Sequence, residues 1–115
     1  MENSNKAILL GLFVYEEIEK LAKEHETSPF PLGHRSIRVG ELSLTALQSE
    51  ILGYVFSFLN TGGGLGSRQK IALKRCYEQV ESVKGEMSEE GRVYFERLVT
   101  LAKKVDTLAH DQPKN

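Results

Sequence analysis

At 115 residues the chain has the length of one domain with one hydrophobic core. Its 40% hydrophobic and 27% charged residues exclude a disordered or fibrous chain, and a net charge of −1 excludes attraction to nucleic acid or an anionic membrane through bulk charge alone. The single cysteine, Cys76, excludes an internal disulfide and fits a reducing compartment.

Of the sixteen acidic residues only Asp106 and Asp111 are aspartate; the remainder are glutamate, the better helix former. Helical periodicity begins near Asn5, with Ser4 as N-cap, and runs to about His25. Ala7, Leu10, Val14, Ile18, Leu21 and Ala22 form one stripe, while Glu16, Glu17, Glu19, Lys20, Lys23 and Glu24 lie mostly off it. Ile8, Leu9, Leu12 and Phe13 make the first half apolar nearly all round. Such a helix end is expected to be sandwiched in the core or covered by a second subunit or a partner. The run from Ala7 to Val14 is far too short to cross a bilayer. It has Glu2 before it, Tyr15-Glu16-Glu17 after it and no small-residue cleavage site, so it reads as a helix start in a cytoplasmic protein.

Residues 26–41 form a long connection. Pro29 and Pro31 forbid helix, and Ile37 and Val39 alternating with Arg38 allow a short extended piece. Ser43 is the expected N-cap of a second helix running to about Leu59, with Leu42 placed to pack on Leu47. The run Ile51 to Leu59 is apolar on every side, which predicts the most buried helix; a buried β-strand is the alternative. Asn60-Thr61-Gly62-Gly63-Gly64-Leu65-Gly66 breaks the chain. Ser67 is then expected to cap a third helix over 68–84, with Leu73, Cys76, Val80 and Val83 on its inner stripe and Gly85 as its stop. Ser88 should cap a fourth over 89–109, where Tyr94, Leu98, Leu101, Val105 and Leu108 repeat the spacing. These elements predict an all-α protein, a four-helix up-down bundle in a single domain over 1–115. It has a long loop between helices one and two, an antiparallel hairpin of helices three and four, and frayed ends at 1–3 and 111–115.

Two groups of residues could carry binding. Gly62, Gly63, Gly64 and Gly66 lead into a helix start bearing Ser67, Arg68, Lys70, Lys74 and Arg75. Backbone amides, a helix N-terminus and four cations together suit a phosphate-containing ligand or an acidic partner. The same cations oppose the dipole of their own helix by about 0.3–1 kcal/mol each when exposed. The second group is His34, Arg35 and Arg38 in the long loop. Sixteen helical residues span about 24 Å, so in an up-down bundle these groups lie at opposite ends. Gly66 is followed by Ser67-Arg68, so the nucleoside-triphosphate loop motif is not met, and the dinucleotide fingerprint lacks its third glycine.

The stretch Phe56-Ser57-Phe58-Leu59-Asn60-Thr61-Gly62-Gly63-Gly64 resembles a segment of Schlafen-type AlbA domains, in which a helix ends in a similar Asn-Thr-Gly-Gly turn. It covers under a tenth of the chain. The family then requires a β-strand, where Arg68 to Val83 reads as helix, so the resemblance assigns no family.

His25, His34 and His110 have no metal spacing with one another or with Cys76, which falls on an apolar stripe. The glutamate pairs Glu16-Glu17 and Glu89-Glu90 lie on predicted exposed faces. No catalytic, metal or cofactor residue is therefore expected, and the chain reads as a non-enzyme. The leading expectation is a small cytosolic protein-interaction module (an adaptor, regulator or immunity-type protein) with a protein partner or homo-oligomer covering Ile8, Leu9, Leu12 and Phe13. The alternatives are an anion- or nucleotide-binding sensor built on the glycine loop, and nucleic-acid binding through helix three, which net charge does not favour.

Overall fold

The computed structural model describes residues 2–111, with side chains from Gly11 to His110. In chain order the elements are α1 (Glu2–Thr27), a hairpin of β1 (Arg38–Val39) and β2 (Leu42–Ser43), α2 (Leu44–Asn60), β3 (Gly64–Leu65), α3 (Ser67–Ser82), a 3-10 turn (Lys84–Glu86), α4 (Glu89–Leu108) and β4 (His110–Asp111). The helices alternate up and down. Tyr15 meets the end of α2 and His25 its start, Lys104 pairs with Glu17, and Tyr77 meets Asp106. The bundle and its long α1–α2 segment are as the periodicity predicts, and α3 and α4 pack as an antiparallel pair.

Several boundaries differ for physical reasons. α1 begins at Glu2, so Ser4 lies inside the helix and is not its N-cap. Asp111 is paired in β4, while Met1 and residues 112–115 lie outside the described residues. Ser43 does cap α2, its hydroxyl accepting the Ala46 N–H at 3.1 Å, and Ser88 caps α4 through the Gly91 N–H at 3.1 Å. Ser67 is the first residue of α3 and not its cap. Gly66 holds that place, and Gln69 Oε1 accepts the Gly66 N–H at 2.9 Å.

Helix α4 contributes the most fully buried residues, whereas α2 is embedded along most of its surface, with only Ala46, Ser49, Gly53 and Asn60 exposed. Along α4 Tyr94, Phe95, Leu98, Val99, Leu101, Ala102 and Val105 are all buried. The apolar run of α2 resolves into one buried stripe, Leu44, Leu47, Ile51, Val55 and Phe58, with Leu52, Tyr54, Phe56 and Leu59 half-buried on its flanks. Helix α2 packs against α1, α3 and α4, so the flanking apolar residues are partly covered and only a narrow strip faces solvent. The inner stripe of α3 is buried as predicted.

The long connection is built onto the bundle by an aromatic cluster. Phe30 packs edge-on against Tyr94 and Phe95 (ring centroids 5.8 and 5.7 Å apart), and His25 lies 4.5 Å from Tyr94. Gln48 Oε1 accepts both the Tyr94 hydroxyl (2.6 Å) and the His25 Nε2–H (3.0 Å). His34 is 4% exposed. Its Nδ1 donates to the Leu32 carbonyl at 2.8 Å, and its Nε2 accepts the Ser88 N–H at 3.2 Å. The expected extended piece is the β1–β2 hairpin, turned by Gly40 at φ +62.

Two outcomes follow from this packing. A methyl added to Gly91 collides with the His34 ring, whereas one added to the exposed helical Gly53 meets nothing within 4 Å. Gly91→Ala should therefore lower unfolding stability by about 2 kcal/mol in guanidinium melts, reversing the usual helix-interior gain, while Gly53→Ala should raise it by about 0.5–1 kcal/mol. Burial holds the His25 imidazole below its ordinary 6.5, and the Arg97 charge acts in the same direction against the Gln48 hydrogen bond. The unfolded chain then binds the proton more readily. The stability from neutral His25 is complete above pH 6.5 and declines as pH falls below it, by at most about 1.4 kcal/mol per pH unit. Melts from pH 7.5 to 5.5 should show this slope in the wild type and lose it in His25→Phe.

Candidate functional site

The end of the bundle opposite His34 gathers the start of α1, the glycine loop and the end of α4. Tyr15, on the inward side of α1, donates its hydroxyl to the Leu59 carbonyl at 2.7 Å and stacks on Phe58 at 5.5 Å. Residue 15 is thereby level with the end of α2. The nine α1 residues 2–10 continue past Gly11 for about 13 Å at the helical rise, consistent with a molecule 51 Å long and 29 by 21 Å across.

The glycine loop is tied down from within. Gly62 and Gly63 take positive φ (+69 and +106), which lets the chain double back after α2. The Gly63 N–H donates to the Phe58 carbonyl at 2.8 Å, the Gly64 N–H to the Thr61 hydroxyl at 3.2 Å, and the Gly63 carbonyl accepts the His110 N–H at 3.1 Å. β3 and β4 then pair in parallel. Sequence patterning gave no sign of this pairing, because two-residue strands have no periodicity. The amides of Gly63, Gly64 and Gly66, which an anion would need, already have protein acceptors.

The cations of α3 separate. Lys70 Nζ donates to the Ala109 carbonyl at 3.3 Å, which places it at the C-terminal, electronegative end of α4. A residue that opposes the dipole of its own helix thus complements that of its neighbour. Arg68, Lys74 and Arg75 are exposed, with Ile71, 68% exposed, among them. Ser67 is exposed beside them.

The second basic group does not assemble outward. His34 is buried as described, Arg35 lies over the Phe30 ring at 5.1 Å, and Arg38 donates to the Glu41 carbonyl at 3.1 Å. His34 packs at the start of α4 and the glycine loop at its end, so the two groups occupy opposite ends as expected.

Between the glycine loop and α1 lies a surface cleft of about 610 Å³, lined by Gly11, Leu12, Tyr15, Gly62, Gly63, Leu108 and His110. Leu12, which lines it, is 55% exposed, and Phe13, 76% exposed, stands on the side of α1 opposite Tyr15. Ile8 and Leu9 lie on the projecting turns of α1, their side chains outside the described ones. Both features that the sequence singled out, the over-apolar helix start and the glycine loop, therefore meet at one place. Tyr15, Leu108 and His110 were not foreseen there. The available signal was the antiparallel order of α1 and α4, which sets the start of one beside the end of the other.

Elsewhere the structure offers less. A groove of about 230 Å³ between α3 and α4 is bounded by Glu81, Lys84, Glu96 and Lys103, which pair across it. Cys76 is buried, its thiol donates to Glu50 Oε2 at 3.0 Å, and burial with the adjacent carboxylate pushes it up to about 12, the opposite of an activated nucleophile. Among the described residues no group of three His, Cys, Asp or Glu could hold a metal ion, and no helix is long and apolar enough to cross a membrane. No protein-family model, curated protein or solved structure matches this chain, so the fold and this end of it define the protein only as a four-helix domain with an open apolar end.

The two lysines of α3 should respond differently to neutralisation. Lys70→Met removes a cation from the end of α4 and should lower stability by about 0.5–1 kcal/mol, whereas Lys74→Met should be neutral or slightly stabilising. Chemical unfolding at low ionic strength checks both.

Proposed function

We propose that this chain is a protein-interaction module, an adaptor or regulator, whose binding surface is the start of α1 with the adjoining cleft. The observation that carries this reading is the exposure of two large apolar side chains near the start of α1: Leu12, in an open cleft with Gly11, Tyr15 and Leu108, and Phe13 on the other side of the same helix. Large apolar side chains left in solvent on one stretch of helix, one of them lining a cleft, are a surface for a partner to cover. In this reading the glycine loop is a wall of the cleft and not an anion cradle, which agrees with the internal use of its amides. In this reading the buried Cys76 thiol, its pKa held up by burial and Glu50, is part of the core and takes no part in binding. We place the module in the cytoplasm, where a lone reduced cysteine is stable.

A benzophenone photo-crosslinker placed at Phe13, in cells that make the protein, should yield a discrete covalent adduct on irradiation. The same crosslinker at Glu86, an exposed site at the far end of the bundle, should not. Absence of any adduct from position 13 would remove the basis of the reading.

A further inference from the structure

We propose that the partner of this end is a second copy of the same chain, joined by antiparallel pairing of the two α1 helices about a two-fold axis level with Gly11. This rests on the reading that the start of α1 is the binding surface; it names the occupant of the outer line of that helix, which carries Phe13, and leaves the cleft open.

Because α1 is one helix from Glu2, positions three and four apart fall in line along it. Its inward side carries Tyr15, Ile18 and Ala22. The opposite line reads Glu2, Lys6, Leu9, Phe13, Glu16, Lys20. A two-fold interface places the same patch on both subunits, so the patch must complement itself. This line does so at every position when reversed about Gly11. Glu2 falls opposite the partner's Lys20, Lys6 opposite the partner's Glu16, and Leu9 opposite the partner's Phe13.

Other arrangements of the same stripe fail this test. Parallel pairing in register sets Glu2 on Glu2 and Lys6 on Lys6. Moving the axis toward the C-terminus by about one turn sets Phe13 against Glu16, and moving it the other way sets Phe13 against Glu2. Only the axis at Gly11 matches charge with opposite charge and apolar with apolar.

The geometry of the fold supports the same axis. Residues 2–10, which run past the bundle, would lie along residues 12–20 of the partner, where Leu12, Phe13, Glu16 and Lys20 are exposed. Glu2 and Lys6, like Glu16 and Lys20, are also spaced i, i+4 within their own helix, so pairing across the axis closes two four-charge clusters around an apolar centre.

Sedimentation equilibrium of the full chain over about 1–200 μM should show a reversible dimer. Glu16→Lys sets lysine against the partner's Lys6 at both symmetric contacts and should weaken the dimer about tenfold, as should Lys6→Glu. The double variant Lys6→Glu, Glu16→Lys restores opposite charges and should restore the dimer, and a mixture of the two single variants should associate more tightly than either alone. Unchanged circular-dichroism melts at dilute concentration show that each variant is folded. A chain that stays monomeric throughout, or a dimer indifferent to the single variants and the mixture, overturns the proposal. A monomer that still gives a position-13 adduct with a different protein overturns self-pairing alone and leaves the start of α1 as a binding surface. A chain with neither dimer nor adduct overturns both readings.

Discussion

The ring of His34 lies against Gly91 in the first turn of α4 and accepts the Ser88 N–H at the head of that helix. A helix N-terminus leaves its first amides unpaired, and burying one without an acceptor costs about 1–3 kcal/mol. Here the acceptor comes from a residue 54 positions earlier, so the contact joins the long connection to the start of the helix that contributes most buried residues to the core. It requires glycine at position 91, because any side chain there would occupy the space of the ring. Phe30 and Arg35 pack on the same corner, and His25 with Gln48 and Tyr94 continue the cluster into the core.

The consequence is a bundle with unlike ends. At the His34 end the connection, the hairpin and the 3-10 turn cover the helix termini with aromatic packing and hydrogen bonds. At the other end two residue pairs of β3 and β4, with Lys70 on the α4 carbonyl, hold the chain together, and α1 runs on beyond them. The first arrangement encloses the aromatic cluster, though Leu32 of the same connection is 93% exposed. The second leaves Leu12 and Phe13 in solvent on neighbouring positions of one helix, Leu12 in a cleft. Folding alone does not require the apolar surface at the start of α1, which is where we propose that a partner docks.

Much of this was legible in the sequence where the signal was periodic. The buried stripes of α3 and α4, the caps at Ser43 and Ser88 and the excess apolar surface at Leu12 and Phe13 all follow from three-and-four spacing and cap chemistry. What was not legible depends on tertiary neighbours. His34 reads as a basic loop residue until Gly91 provides a seat for it. Lys70 reads as a misplaced cation until the end of α4 comes within reach. The apolar run of α2 suggests burial all round, but only the stripe facing the other helices is fully buried and its flanks are half-covered. The cleft needed the antiparallel order of α1 and α4 before Gly11 and Leu108 could be seen as neighbours.

The central claim is that one end of the molecule is closed by its own chain and the other is completed by a partner surface. Hydrogen exchange resolved along the chain and repeated across protein concentration tests it directly. The account predicts that the Ile37, Leu44 and Ser88 amides exchange as slowly as the core at every concentration, while α1 amides before Gly11 exchange rapidly in dilute solution and slow as concentration rises. A long connection that exchanges like free coil, with α1 protected from its first turn in dilute solution, would contradict it.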